Sequence, residues 1–192
     1  MQRSSLKARI LDHAEARLWE QGYRGMRVDE LARDVGISKR TLYEQFRTKE
    51  EMACEALGRR LNRMQQEIDD IVESRSAAPK QLRDITKLIC DVYSKARSPF
   101  YRDLETTPSL TELVQASRSQ SHAKLDAVIR GGIEQGYFRP KLDPRLARQV
   151  LLTAVEGIVR AEALAEGGMS VEQAFQAAYD VVLNGLLICD SR

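Results

Sequence analysis

Cysteine is scarce in this sequence and offers no pattern: Cys54, Cys90 and Cys189 are odd in number, widely spaced and set among apolar residues, with no C-x-x-C pair. That excludes a disulfide framework and a cysteine-paired zinc site, and the three thiols are expected to serve as small hydrophobes in a reducing compartment. Histidine is scarcer still, with only His13 and His122. No metal-ligand spacing, Cys/His or Ser/His pairing, carboxylate pair or phosphate-cradling loop stands out, so neither an enzyme nor a metal or cofactor site is expected. Long apolar runs are also missing. None approaches the roughly 20 residues needed to span a bilayer, and the polar start MQRSSLKAR leads into amphipathic sequence rather than a secretory core. A cytoplasmic protein with no membrane partner is expected.

Charge of one sign is equally lacking, since the net charge is only +2 over 192 residues. Bulk charge would therefore not suggest a polyanion as partner. Its distribution says more. Residues 1–49 carry 11 Lys and Arg against 7 Asp and Glu, leaving 19 against 21 for the remainder. The positive surplus lies at the N-terminal end. With 43% hydrophobic and 30% charged residues, the chain has enough apolar material for a core.

What is present is helical periodicity. Apolar residues recur at three and four spacing almost throughout, and alternating β-branched runs with paired turn signals are absent, which predicts an all-α fold. Glycine, proline and serine place breaks at Gly22–Gly25, Gly36, Arg47–Thr48, Ser76–Pro79, Ser98–Pro99, Thr107–Pro108, Gly136–Pro144 and Gly167–Ser170. Short helices come first and longer ones follow.

A first helix is expected from about Ser4 to Gln21, with Leu6, Ile10, Ala14 and Leu18 on one stripe, ending at Gly22. A second, short helix shows Val28, Leu31, Ala32 and Val35 on one face and stops at Gly36, which can take positive φ. After the turn Gly36-Ile37-Ser38-Lys39, Ser38 is placed to cap a third helix while Ile37 packs on Leu42. Leu42 and Phe46 then face inward. Lys39, Arg40, Thr41, Tyr43 and Glu44 are left on the outer surface of a helix about two turns long. Two short helices joined by a tight glycine turn, the second presenting cations and hydroxyls at its start, match a helix-turn-helix for the DNA major groove. Thr48 and Glu51 form a capping box that starts the fourth helix and directs Lys49, which with free N–H groups there can meet a phosphate.

The stretches AEARLWEQGY (Ala14–Tyr23), VDELARDVG (Val28–Gly36) and ISKRTLYEQFRTKEEM (Ile37–Met52) resemble the N-terminal signature of the TetR family of bacterial regulators. The ordered set Gly36, Ser38, Thr41, Leu42, Tyr43, Phe46, Lys49 and Glu50 makes the resemblance specific. It implies a helix-turn-helix head over residues 1–49, joined by a long helix to an effector-binding and dimerisation domain over 50–192. It also implies that Ser38, Lys39, Thr41, Tyr43 and Lys49 meet DNA, Tyr43 and Lys49 mainly at the backbone. Two departures from the family matter, while Trp19 in place of the more usual Phe is expected to affect packing only. Arg40 stands where a small residue is usual, and an arginine there can read guanine, worth about 1–3 kcal/mol of discrimination. Arg27 replaces a threonine that usually caps the second helix, and a direct Arg27–phosphate contact is expected in its place.

Beyond Pro79 the resemblance implies only architecture: a helical bundle with an internal cavity and a two-helix dimer face. For that face, Leu146, Val150, Ala154, Ile158 and Ala161 line one helix, and Phe175, Ala178, Val182 and Leu186 line the other. Two such heads about 34–36 Å apart would read a palindrome as a homodimer. The cavity is expected to draw on Cys90, Tyr93, Phe100 and Tyr101, and on Leu104, His122, Asp126 and Glu156. Their mixed aromatic and polar character suits a small amphipathic or aromatic effector. The leading expectation is a repressor of double-stranded operator DNA released by that effector. The alternative is an effector-free DNA-binding protein whose C-terminal body docks a protein partner.

Overall fold

In the computed structural model, which describes residues 5–159 and 171–186, the chain is all-helical, with nine helices and no strand among the described residues. They are α1 (Leu6–Gly25), α2 (Val28–Val35), α3 (Lys39–Gln45), α4 (Lys49–Glu73), α5 (Ala78–Tyr93), α6 (Ser98–Leu104), α7 (Pro108–Glu134), α8 (Pro144–Val159) and α9 (Val171–Leu186). No described helix is long and apolar enough to cross a membrane. Of the dimer-face residues named above, Ala161 and the side chain of Ile158 lie outside what the structure describes, as does Cys189.

The chain forms two compact units. Of the described residues, one comprises those up to Arg63 together with Lys95–Ser117; the other comprises Met64–Ser94 and the described residues from Arg118 onward. Helices α4 and α7 each contribute to both.

In the first unit, α1 starts where the Ser5 hydroxyl accepts the Ala8 N–H at 3.2 Å. It buries Ile10, Leu11, Ala14, Leu18 and Trp19 along one stripe. Gly22 does not end the helix as expected. It bends it, with φ 73° and ψ 177°, and a further turn runs on to Gly25. Such a backbone is open almost only to glycine. Helix α2 ends in a Schellman motif: the Ile37 N–H donates to Ala32 C=O at 2.9 Å and the Gly36 N–H to Arg33 C=O at 3.0 Å, with Gly36 left-handed at φ 75°. Its start has no side-chain cap, because Arg27 has no short acceptor to offer. The Arg17 guanidinium ties α1 to α2 through Glu30 at 2.8 Å and Asp34 at 2.6 Å. Arg9 adds a bond to the Val35 carbonyl at 2.7 Å.

In the second unit, α5, α8 and α9 pack on one another. Tyr179 of α9 stacks on Phe175 and donates its hydroxyl to the Pro79 carbonyl at 2.9 Å. The C-terminal half of α4 is bound to α7 by Gln65, which donates to Ser121 at 2.8 Å, and by Lys124, which reaches Asp69 at 2.6 Å. A buried amide such as Gln65 needs such partners to offset its desolvation.

Candidate nucleic-acid interface

The head is assembled by local caps. Ser38 Oγ accepts the Thr41 N–H at 3.0 Å and starts α3 at Lys39. The same oxygen lies 2.9 Å from Thr41 Oγ1. At the next start, Thr48 Oγ1 accepts the Glu51 N–H at 2.9 Å, while Glu51 reaches back to the Arg47 N–H at 2.7 Å. The return bond thus falls one residue before the position a strict capping box would use.

With Leu42 and Phe46 buried, α3 turns its other side to solvent. Arg40 is 90% exposed along its side chain, and Tyr43 is 42% exposed. Each cation on this face has a carboxylate nearby. Lys39 pairs with Asp29 at 2.9 Å, Arg40 with Glu44 at 3.3 Å, and Arg27 with Glu30 at 4.0 Å. The hydrogen bond and charge of Asp29 raise the Lys39 pKa, so Lys39 stays cationic. Pairs this exposed are worth little in water. They can be exchanged for phosphate oxygens or base edges.

Lys49 is held differently. Its ammonium lies 4.6 Å from the centre of the Tyr23 ring and 3.4 Å from the Arg24 carbonyl. Burial lowers its pKa, and the nearby negative charge of Asp103 opposes that. An ammonium has three donors, of which the Arg24 carbonyl takes one. Asp103, which sequence reasoning did not single out, is 5% exposed and accepts the Arg24 N–H at 2.8 Å. No local signal could have found it, because its partner lies 79 positions away.

The residues expected around a cavity separate. Phe100 is core of the first unit, with its ring 4.5 Å from that of Trp19 and Tyr101 edge-on to it at 5.6 Å. Leu104 is half-buried in the same unit. Cys90, Tyr93, His122, Asp126 and Glu156 belong to the second unit. Two arginines missed in the sequence join them there. Arg148 donates to Asp126 at 2.7 Å, and Arg118 lies 3.5 Å from Glu156 and 5.7 Å from the centre of the Tyr93 ring. Arg118, His122 and Asp126 follow one another at intervals of four on α7, a spacing that puts them on one helix face. His122 has a lowered pKa, from burial first and then from Arg148 and Arg118. The buried Cys90 thiol is pushed up to about 11 by desolvation.

On the expected dimer face, Leu146 and Val150 of α8 are 63% and 50% exposed, and Ala154 is half-buried. On α9, Phe175 and Leu186 are instead buried within the protomer, Ala178 and Val182 are half-buried, and Val181 is 74% exposed. Aromatic stacking with Tyr179 draws Phe175 inward.

Comparison with known proteins agrees with this geometry. The family described as "Bacterial regulatory proteins, tetR family" matches residues 10–56, and "YsiA-like protein, C-terminal region" matches residues 55–185. The HTH-type transcriptional repressor KstR2 of Mycobacterium tuberculosis is 28% identical over 189 residues, spanning 95% of this chain and 94% of the relative. The solved structure of that ketosteroid transcriptional regulator superposes with a TM-score of 0.74 at 26% identity, covering 98% of each chain. The fatty acid metabolism regulator protein of Bacillus subtilis is 28% identical over 157 residues, or 78% of this chain and 79% of the relative. A structure of FadR from Bacillus subtilis in complex with stearoyl-CoA shares the fold, with a TM-score of 0.71 at 17% identity over 92% of this chain and 97% of that one.

Proposed function

We propose that the chain, which belongs to the TetR family of bacterial regulatory proteins, is a DNA-binding transcriptional repressor like its relative KstR2, and that residues 1–49 carry its operator contacts. The observation that carries this reading is the Ser38-capped start of α3, which turns Lys39, Arg40, Thr41 and Tyr43 to the outside while Leu42 and Phe46 lock the helix down. Lys39 and Arg40 give up Asp29 and Glu44 for the groove. Tyr43, Lys49 and Arg27 meet phosphates, with Ser38 and Thr41 beside them. Phosphate contacts set position; Arg40, reading guanine, supplies sequence preference.

The protein acts as a homodimer through α8 and α9, where Leu146, Val150 and Val181 leave apolar side chains open to water. Residues 50–192 serve effector binding and dimerisation. The effector is an amphipathic small molecule, held in the second unit near Cys90, Tyr93, His122, Asp126 and Glu156, with Arg118 and Arg148 able to face an anionic head group. An acyl-CoA has that character, and the FadR structure contains one. Release of DNA requires that the effector bind the two states of the dimer unequally.

The test is a binding titration of the purified protein on the DNA upstream of its own gene, against random DNA, at several salt concentrations. Specific affinity of about 10⁻⁸ to 10⁻¹¹ M with a steep salt slope supports the reading. Equal affinity for random DNA defeats it.

A further inference from the structure

Helix α6 grips the bent end of α1. The Arg97 N–H, just before α6, donates to the Trp19 carbonyl at 2.9 Å, and Phe100 packs on Trp19. Gly22 lies so close to α6 that a Cβ there would stand 2.5 Å from Asp103 Oδ2 and 2.8 Å from the Pro99 carbonyl. Asp103 Oδ2 takes the Arg24 N–H at 2.8 Å, and Oδ1 lies 3.7 Å from the Arg24 guanidinium. The segment so held contains both partners of Lys49, the Tyr23 ring and the Arg24 carbonyl. It also leads directly to Arg27 at the start of α2. A buried carboxylate is costly unless paired, and here its partners are the backbone N–H and the guanidinium of Arg24.

We infer that Asp103 is a positioning residue for DNA binding: by fixing the Gly22–Met26 turn it sets the Tyr23 ring and Arg24 carbonyl that aim the Lys49 ammonium at a backbone phosphate. Asp103 touches no DNA itself. This rests on the proposed Lys49–phosphate contact. Without Asp103, Lys49 keeps its charge but loses its fixed place. The loss is independent of base sequence, since a phosphate contact carries none.

The test measures operator affinity against salt concentration for full-length wild type, Lys49→Ala, Asp103→Ala, Asp103→Asn and the Asp103 variants combined with Lys49→Ala. Losing one phosphate contact lowers the slope of log K against log salt by about 1 per protomer. Lys49→Ala and Asp103→Ala each give that reduction, and Asp103→Asn, which keeps an acceptor but not the charge, gives part of it. In the Lys49→Ala background neither Asp103 change reduces the slope further. Should Asp103→Ala not fold, as judged by circular dichroism, Asp103→Asn decides the matter against Lys49→Ala in the same way. A slope unchanged by Asp103 variants while Lys49→Ala lowers it overturns the role of Asp103 alone, and so do additive effects of the two residues. A slope unchanged by Lys49→Ala overturns the phosphate contact, and the inference with it.

Discussion

Replacing Gly22 with alanine strikes the bend in α1 from two sides, and each contribution can be sized. The φ of 73° with ψ of 177° lies where side chains are almost never tolerated, a strain of about 1–3 kcal/mol. The new Cβ would also stand 2.5 Å from a carboxylate oxygen and 2.8 Å from a backbone carbonyl. Forcing such neighbours apart typically costs another ~1–3 kcal/mol. About 4 kcal/mol in total corresponds to a fall in Tm of about 8–16 °C, at ~2–4 °C per kcal/mol for a chain of this size. Gly36→Ala is the control. Gly36 is also left-handed, at φ 75°, but a Cβ there meets nothing within 4 Å. Its cost is therefore the left-handed backbone alone, ~1–2 kcal/mol, reduced by the ~0.4–1 kcal/mol that alanine gains by restricting the unfolded chain. Thermal and urea unfolding followed at 222 nm would measure both. If Gly22→Ala costs no more than Gly36→Ala, the close approach of α6 to α1 is not what holds the bend.

Arg40→Gly is expected to leave the fold intact and erase preference for guanine at one position in each half-site, a loss of about 1–3 kcal/mol in a panel of single-base operator variants. Unchanged base preference refutes guanine reading by Arg40. Cys90, with its thiol pushed up to about 11, should remain unlabelled by iodoacetamide at pH 8 until the protein unfolds. Only about one thiol in a thousand is then ionised, and the thiolate is the reactive form; rapid native labelling seen by peptide mass spectrometry would contradict this. Val150→Glu or Val181→Glu should shift the protein from dimer to monomer in analytical ultracentrifugation, because either places a charge on an apolar contact. A dimer unaffected by both substitutions places the interface elsewhere.

The head was legible because its boundaries depend on neighbours in sequence. Ser38 capping Thr41, Gly36 closing α2 and Thr48 capping Glu51 are bonds spanning three to five positions, and each follows from residue type alone. Gly22 shows where such reasoning stops. A glycine after an apolar stripe reads as a helix end, yet here Asp103 and Pro99 from α6 support a bend and the helix continues. Phe100 carried the same ambiguity, since an aromatic can line a cavity or fill a core, and only the nearness of Trp19 decides. On α9 the apolar stripe contains residues that face the protomer's own core, whereas Val181, the most exposed apolar side chain among the described residues, lies off it. A helix that packs on two partners has no single apolar face, so periodicity alone cannot divide it. Arg118 and Arg148 escaped notice because exposed arginines are common, and only their pairing with Glu156 and Asp126 sets them apart.

The claim on which the rest depends is that α3 reads DNA in a symmetric pair. Selection of binding sites from a random duplex library by the full-length protein, with sequencing of the bound fraction, tests it directly. The expected outcome is a palindrome whose half-sites are centred about one helical turn, 34–36 Å, or a multiple of it apart. A guanine should recur in both half-sites and vanish from the selected set with Arg40→Gly. Recovery of unenriched sequence, or of a motif unaffected by changes at Lys39, Arg40 and Tyr43, would contradict the account.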